Sequence, residues 1–157
     1  MRISAKVDYA LRAMAELATR PGPVKAEEIA RAQEIPLKFL LDILNDLKRA
    51  YLLRSQRGAE GGYSLQRPAE EISLADVFRA LEGPLANVHD TSLSDLGYVG
   101  PAKGLLDVWM ALRASLRSVL EETTLSDLAS GSLPSPVKEL AATYRTDERR
   151  ARTARRR

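Results

Sequence analysis

Two short strand-like segments, Tyr51–Gln56 and Tyr63–Arg67, flank the tip Arg57-Gly58-Ala59-Glu60-Gly61-Gly62. Glycine supplies the backbone conformations that a tight hairpin needs. Arginine at its mouth is the side chain best suited to a phosphate or a narrow minor groove. Two helical segments joined by a short turn come directly before the hairpin. The order helix–turn–helix and then hairpin predicts a winged helix, which points to DNA. Other glycine-rich loops fit less well. A Walker loop needs Gly-Lys followed by Ser or Thr, and G-x-G-x-x-G marks a dinucleotide site; the chain has neither. Without the upstream helices, the hairpin would read as a structural turn.

Ser4 suits the cap of a first helix reaching about Thr19, with Val7, Ala10, Leu11, Met14, Leu17 and Ala18 as one apolar stripe. Pro21-Gly22-Pro23 ends it, and Lys25 to Gln33 reads as a short second helix. After the turn Glu34-Ile35-Pro36, a third helix runs from Leu37 to about Ala50, with Pro36 suited to its first position. Phe39, Leu40, Ile43, Leu44 and Leu47 form its stripe. Ser73 caps a fourth helix, Leu74 to Glu82, ended by Gly83-Pro84. A long helix follows from Pro101 to about Thr123, and Thr124 opens a short one, Leu125 to Ala129.

The expected fold class is mainly α with a small β-hairpin wing. Residues 1–83 form the winged helix-turn-helix domain and 84–100 a sensory or linker loop. Residues 101–130 hold a dimerisation helix and a short following helix, and 131–157 a flexible basic tail. Residues 1–67 already look like a complete core, so the long helix must bury its stripe elsewhere. That stripe is Leu105, Val108, Trp109, Leu112, Leu116, Val119 and Leu120, and a second copy of the chain is the simplest partner. Folding back as core is the alternative.

Charge is distributed unevenly. Residues 1–67 carry twelve basic and eight acidic side chains, 68–144 five and eleven, and 145–157 seven and two. A basic front suits contact with a polyanion, with the acidic middle turned away. No signal-peptide h-region or membrane span is apparent, and the absence of cysteine leaves no disulfide or thiolate site. A cytoplasmic, nucleoid-associated protein without membrane contact is expected.

The motifs Ile35-Pro36-x-x-Phe39-Leu40-x-x-Ile43-Leu44-x-x-Leu47 and Arg57-Gly58-x-x-Gly61-Gly62-Tyr63-x-Leu65 resemble those of a bacterial regulator family. The opening Met1-Arg2-Ile3-Ser4-x-Lys6-x-x-Tyr9-Ala10-Leu11 agrees, as does Ile72-x-Leu74-x-Asp76-Val77-x-x-Ala80-x-Glu82-Gly83. This is the IscR/NsrR/CymR-type, or Rrf-two, family of winged helix-turn-helix transcription factors, and the match spans roughly residues 1–125. The resemblance implies a homodimeric repressor that binds double-stranded DNA at an inverted repeat. By position, it implies DNA contacts from Lys25, Pro36, Leu37, Lys38, Phe39 and Asp42 around the recognition helix. The wing would contribute Arg57, Gly58, Ala59, Glu60, Gly61, Gly62 and Tyr63, while Arg2 and Lys6 would touch backbone. Phe39 in the core, and Lys38 on phosphate only, remain open readings. Glu60 is expected to orient Arg57 or to face solvent.

Cluster-binding members carry three cysteines in the loop before the long helix, where this chain has residues 87–104 and none. Iron–sulfur clusters need thiolates, so no cluster and no other cofactor is expected. Asp8 and Asp107 fall where relatives supply ligands. His89, Asp90, Asp95 and Asp107 offer only a thin donor set for a divalent ion, so no metal site is expected. A regulator responsive to a small molecule between loop 85–100 and Trp109 or to a metal, with Asp8, His89, Asp90, Asp107 and Trp109 as effector residues, or one acting through a protein co-regulator, stays open. With one histidine and no catalytic motif, the chain is not expected to be an enzyme.

Overall fold

The computed structural model describes residues 3–85 and 93–154. Within them the order is α1 (Ala5–Ala18), α2 (Ala26–Gln33), α3 (Leu37–Arg49), β1 (Leu53–Gln56) and β2 (Gly62–Leu65). Then come α4 (Leu74–Glu82), α5 (Leu105–Leu120), α6 (Leu125–Ser130) and α7 (Ser135–Ala154). The fold is mainly α with one two-stranded antiparallel hairpin, a winged helix-turn-helix with further helices.

The Ser4 hydroxyl accepts the Val7 N–H at 3.2 Å and starts α1, whose buried face is Val7, Ala10, Ala13, Met14 and Leu17. Pro36 is the cap of α3 rather than its first residue, since its carbonyl accepts the Leu40 N–H at 3.0 Å. Both α2 and α3 end in the same left-handed turn. Glu34 has φ 52° and Tyr51 φ 57°. The next N–H reaches back in each case, Ile35 to the Ala30 carbonyl at 2.9 Å and Leu52 to the Leu47 carbonyl at 3.0 Å. This backbone pattern usually recruits glycine, and a side chain there costs about 1–2 kcal/mol. Burial of Ile35 and Leu52 immediately afterwards offsets that cost.

The hairpin is shorter than expected because Tyr51 and Leu52 are taken up in ending α3. Its register pairs Leu53 with Leu65 and Gln56 with Gly62. Val24, between α1 and α2, adds a third edge. It exchanges backbone hydrogen bonds with Tyr63 at 2.9 and 2.8 Å, fastening the wing to the helices.

The core does not close at residue 67. Ile72, Val77 and Leu125 are buried in the same cluster as Met14, Ile29, Leu40 and Leu44. The Leu74 N–H donates to the Thr123 carbonyl and the Leu125 N–H to the Ile72 carbonyl, each at 2.9 Å. Capping boxes, Ser73 with Asp76 and Thr124 with Asp127, start α4 and α6 side by side. The short helix after α5 therefore returns to pack on α1. Phe39 lies outside the core at 44% exposure, because Leu40, Ile43, Leu44 and Leu47 complete the inward face of α3. The segment expected as a flexible tail is helical over Ser135–Ala154. Pro134 and Pro136 stand at its start, where a missing N–H is harmless, and no proline or glycine follows.

Gly62 lies so close to Val24 that a Cβ would overlap the Val24 carbonyl. Gly62→Ala is therefore expected to destabilise the fold by about 1–3 kcal/mol, the range for forced overpacking. Urea unfolding measures this, and an unchanged midpoint would contradict the close wing–helix contact.

Candidate nucleic-acid interface

The outward strip of α3 comprises Lys38, Leu41, Asp42, Asn45 and Arg49, all exposed. Their spacing of three or four residues places them on one side of the helix. Leu37 is exposed at its start. Pro36 provides no side-chain cap, and the first turn of α3 contains no acidic residue. N–H groups of a first turn left uncapped in this way are the kind of donors that suit a phosphate. Asn45 joins this strip without being singled out in the sequence; its signal is a position seven residues after Lys38, two turns along the same face. Asn is well matched to adenine in the major groove.

Phe39 meets Tyr9 edge-on, with ring centroids 5.9 Å apart and planes at 86°. The Arg12 guanidinium lies 5.4 Å from the Tyr9 ring on its other contact and donates to the Gln33 carbonyl at the end of α2. Glu16 accepts from Gln33 at 3.0 Å and from Arg20 at 2.7 Å. Hydrogen bonds from Arg20 and then Gln33 hold its carboxyl below its ordinary pKa. These α1 side chains set where α2 stops and α3 begins.

At the wing tip, Arg57, Gly58, Ala59 and Glu60 are exposed and Gly61 is buried. The Gly61 N–H donates to the Gly58 carbonyl at 3.0 Å, and Gly58 has φ 107°, where glycine is favoured. No ion pair joins Arg57 to Glu60 among the described residues, so Glu60 faces solvent. Tyr63 is half-buried against Val24, which makes it an anchor of the wing. Lys25 is exposed just before α2. Arg2 lies outside the described residues. Lys6, expected on DNA backbone, is paired with Asp46 at 2.7 Å in the free chain, tying α1 to α3. The Lys6 hydrogen bond outweighs burial and holds the Asp46 carboxyl below its ordinary pKa.

No residue of α5 is buried in the single chain. Val108 is 56% exposed, Met110 46% and Leu112 44%, while Leu105, Trp109, Leu116, Val119 and Leu120 are half-buried. Met110 thus widens the apolar surface beyond the expected stripe.

Residues 3–131 match the Rrf2 model, described as "Iron-dependent Transcriptional regulator". The chain belongs to the Rrf2 family. It is 57% identical over 150 residues to a Mycobacterium tuberculosis protein described as an HTH-type transcriptional regulator, covering 94% of this chain and 93% of that one. Bacillus subtilis CymR, also an HTH-type transcriptional regulator, is 36% identical over 132 residues, covering 83% and 91%. The solved structure of CymR, described as the global cysteine regulator of that organism, superposes with a TM-score of 0.70 at 37% identity, covering 83% of this chain and 97% of CymR. T. potens IscR gives 0.66 at 32% identity, covering 84% and 88%. This Rrf2 member is thus a DNA-binding transcriptional regulator and not an enzyme. The family match ends at residue 131, so α7 lies beyond it.

An iron–sulfur cluster does not fit the donors of this Rrf2 member. The chain has no cysteine, and cluster iron requires thiolates. Among the described residues, no three His, Asp or Glu side chains stand close enough to hold a metal ion. Asp8 pairs with Arg12 at 3.3 Å, and Asp107 is exposed in the first turn of α5, where a carboxylate favours the helix dipole. His89 and Asp90 lie outside the described residues. The Trp109 indole N–H is taken by the Tyr98 hydroxyl at 3.1 Å. No helix among the described residues is long and apolar enough to cross a membrane.

In Lys6→Met, the Asp46 carboxyl should titrate at higher pH than in the natural chain, as followed by side-chain carbon NMR. Because pairing lowers the folded-state pKa, its stabilisation is present above the unfolded-state pKa and is lost as pH falls through the lowered value. At this exposed site it amounts to under about 1 kcal/mol. An unmoved Asp46 titration would contradict the pairing.

Proposed function

We propose that this Rrf2 member is a homodimeric repressor that works without an iron–sulfur cluster and occupies an inverted-repeat operator on the bacterial nucleoid, in the cytoplasm. The observation that carries the reading is Arg57, exposed at the wing tip and without an ion pair among the described residues, together with the exposed outward strip of α3. The strip enters the major groove, with Lys38 at a base edge or its phosphate and Asn45 available to adenine. Arg57 enters the adjoining minor groove, where narrow A·T-rich DNA concentrates negative potential. The apolar surface of α5 joins two copies. Their symmetry sets two half-sites about one helical turn of DNA, roughly 34 Å, or a multiple of it apart. With no thiolate available, the signal is not carried by a cluster, and operator affinity responds to another input or to protein abundance.

Gel-shift titration of the purified protein on its own upstream DNA tests the reading. Arg57→Ala should weaken specific binding by about 1–3 kcal/mol, as for one specific contact, and should erase the A·T preference at the wing position. If specific affinity survives intact, the hairpin is structural only and the proposed interface fails.

A further inference from the structure

A cleft of about 390 Å³ separates α4 from α5, lined by Arg79, Gly83, Pro84, Leu85, Arg113 and Arg117. Three of its six lining residues are guanidinium-bearing, although this part of the chain is acidic overall. Such clustering is costly unless something negative sits among them. One carboxylate supplies part of that charge. Glu121, at the end of α5, accepts both oxygens' hydrogen bonds from Arg117 at 3.0 Å and a further bond from Arg79. Burial works to raise the Glu121 carboxyl, but the Arg117 and Arg79 hydrogen bonds outweigh it and hold it below its ordinary pKa. Arg79 also stands 3.8 Å from Asp76. Arg113, one turn before Arg117 on the same side of α5 and half-buried, has no ion-pair partner among the described residues.

We propose that Arg79, Arg113 and Arg117 form a binding site for a small molecule with a tetrahedral oxyanion head, a sulfate or a phosphate. Guanidinium forks match such oxygens in pairs of parallel hydrogen bonds. The way two arginines already converge on Glu121 shows that their side chains reach one acceptor together. Arg113 adds a third donor that Glu121 leaves unused. Gly83, Pro84 and Leu85 line the rest of the cleft with little polarity. Its volume exceeds that of a bare ion and falls in the range of small-ligand pockets, so it has room for a compact organic body. Arg79 belongs to α4 in the winged domain, and Arg113 and Arg117 belong to α5. An anion here competes with Glu121 for the two shared arginines and changes what holds these helices together. Occupancy is thereby coupled to DNA affinity if the proposed α5 dimer sets the half-site spacing.

Binding at this cleft is measured without DNA, so its failure is distinct from failure of the operator reading. The full-length protein is titrated with sodium sulfate and, separately, inorganic phosphate, with sodium chloride at matched ionic strength and succinate as further arms. Thermal unfolding supplies the readout. Saturable stabilisation by sulfate or phosphate, absent with chloride, is expected; preference between the two identifies the head group, whereas tighter succinate binding would overturn the tetrahedral assignment. Arg113→Ala should raise the half-saturating concentration roughly tenfold or more, as for loss of a charged hydrogen bond. Circular dichroism confirms its fold, and Arg113→Lys should recover part of the loss. Arg57→Ala should leave the response unchanged. If Arg57→Ala removes the stabilisation and Arg113→Ala does not, the anion occupies only the DNA face and the proposal is wrong. No saturable response to either anion would also overturn it.

Discussion

The junction between α2 and α3 is the constraint on which the proposed DNA-facing surface depends. Glu34 takes a left-handed conformation, and Ile35 turns its N–H back to the Ala30 carbonyl at 2.9 Å and buries its side chain. Arg12 holds the Gln33 carbonyl from α1. Tyr9, in contact with Arg12 and edge-on to Phe39, carries that restraint across to the first turn of α3. The angle at which α3 presents Lys38 and Asn45 is therefore set by side chains of α1 that need not touch DNA themselves. Lys6 adds a second tie further along α3 through Asp46. Rigid placement of this kind matters because base readout needs the side chain and the base edge in register.

The wing is positioned by backbone rather than by side chains. Val24 and Tyr63 exchange hydrogen bonds, and Gly62 permits that approach because it has no Cβ. Gly61 packs under the tip in a similar way, since a Cβ would crowd the Gly58 carbonyl and the Arg57 backbone. The glycines therefore fix where Arg57 emerges, while Arg57 itself stays exposed and free of ion pairs among the described residues. α4 and α6 complete the support from behind. Their paired capping boxes bring Leu125 into the same core as the helix-turn-helix. The chain on either side of α5 is thus anchored to one body.

Local signals carried much of this arrangement in the sequence. Ser4, Ser73 and Thr124 marked helix starts through short-range hydrogen bonds, and the apolar spacing of Leu40, Ile43, Leu44 and Leu47 marked the inward face of α3. The two left-handed turns were not legible at Glu34 and Tyr51, because neither is the glycine such turns favour. Phe39 fits the helical stripe by spacing but faces Tyr9, since a stripe records periodicity and not which neighbour fills each contact. Lys6 looks like a free cation until folding brings Asp46 within 2.7 Å. Leu125 lies 58 positions after residue 67, and no local pattern shows that it closes the core. Pro134 and Pro136 resemble helix breakers but occupy the one part of a helix that tolerates proline. For the proposed sites, the positions of Lys38 on α3 and Arg57 on the hairpin followed from local order, whereas the meeting of Arg79, Arg113 and Arg117 required the tertiary fold.

In the proposed dimer, α5 connects this monomer architecture to operator symmetry. Its sixteen residues include no buried one in the single chain, and apolar side chains surround much of its circumference. Fully burying each large apolar side chain contributes about 1.5–3 kcal/mol, so a second α5 offers substantial stabilisation. Sedimentation equilibrium of the protein alone and on its upstream DNA measures the copy number directly. Two chains in solution and two per operator are predicted, with Leu112→Asp combined with Leu116→Asp giving folded single chains. A natural chain that sediments as a monomer and binds DNA one copy at a time would contradict the account.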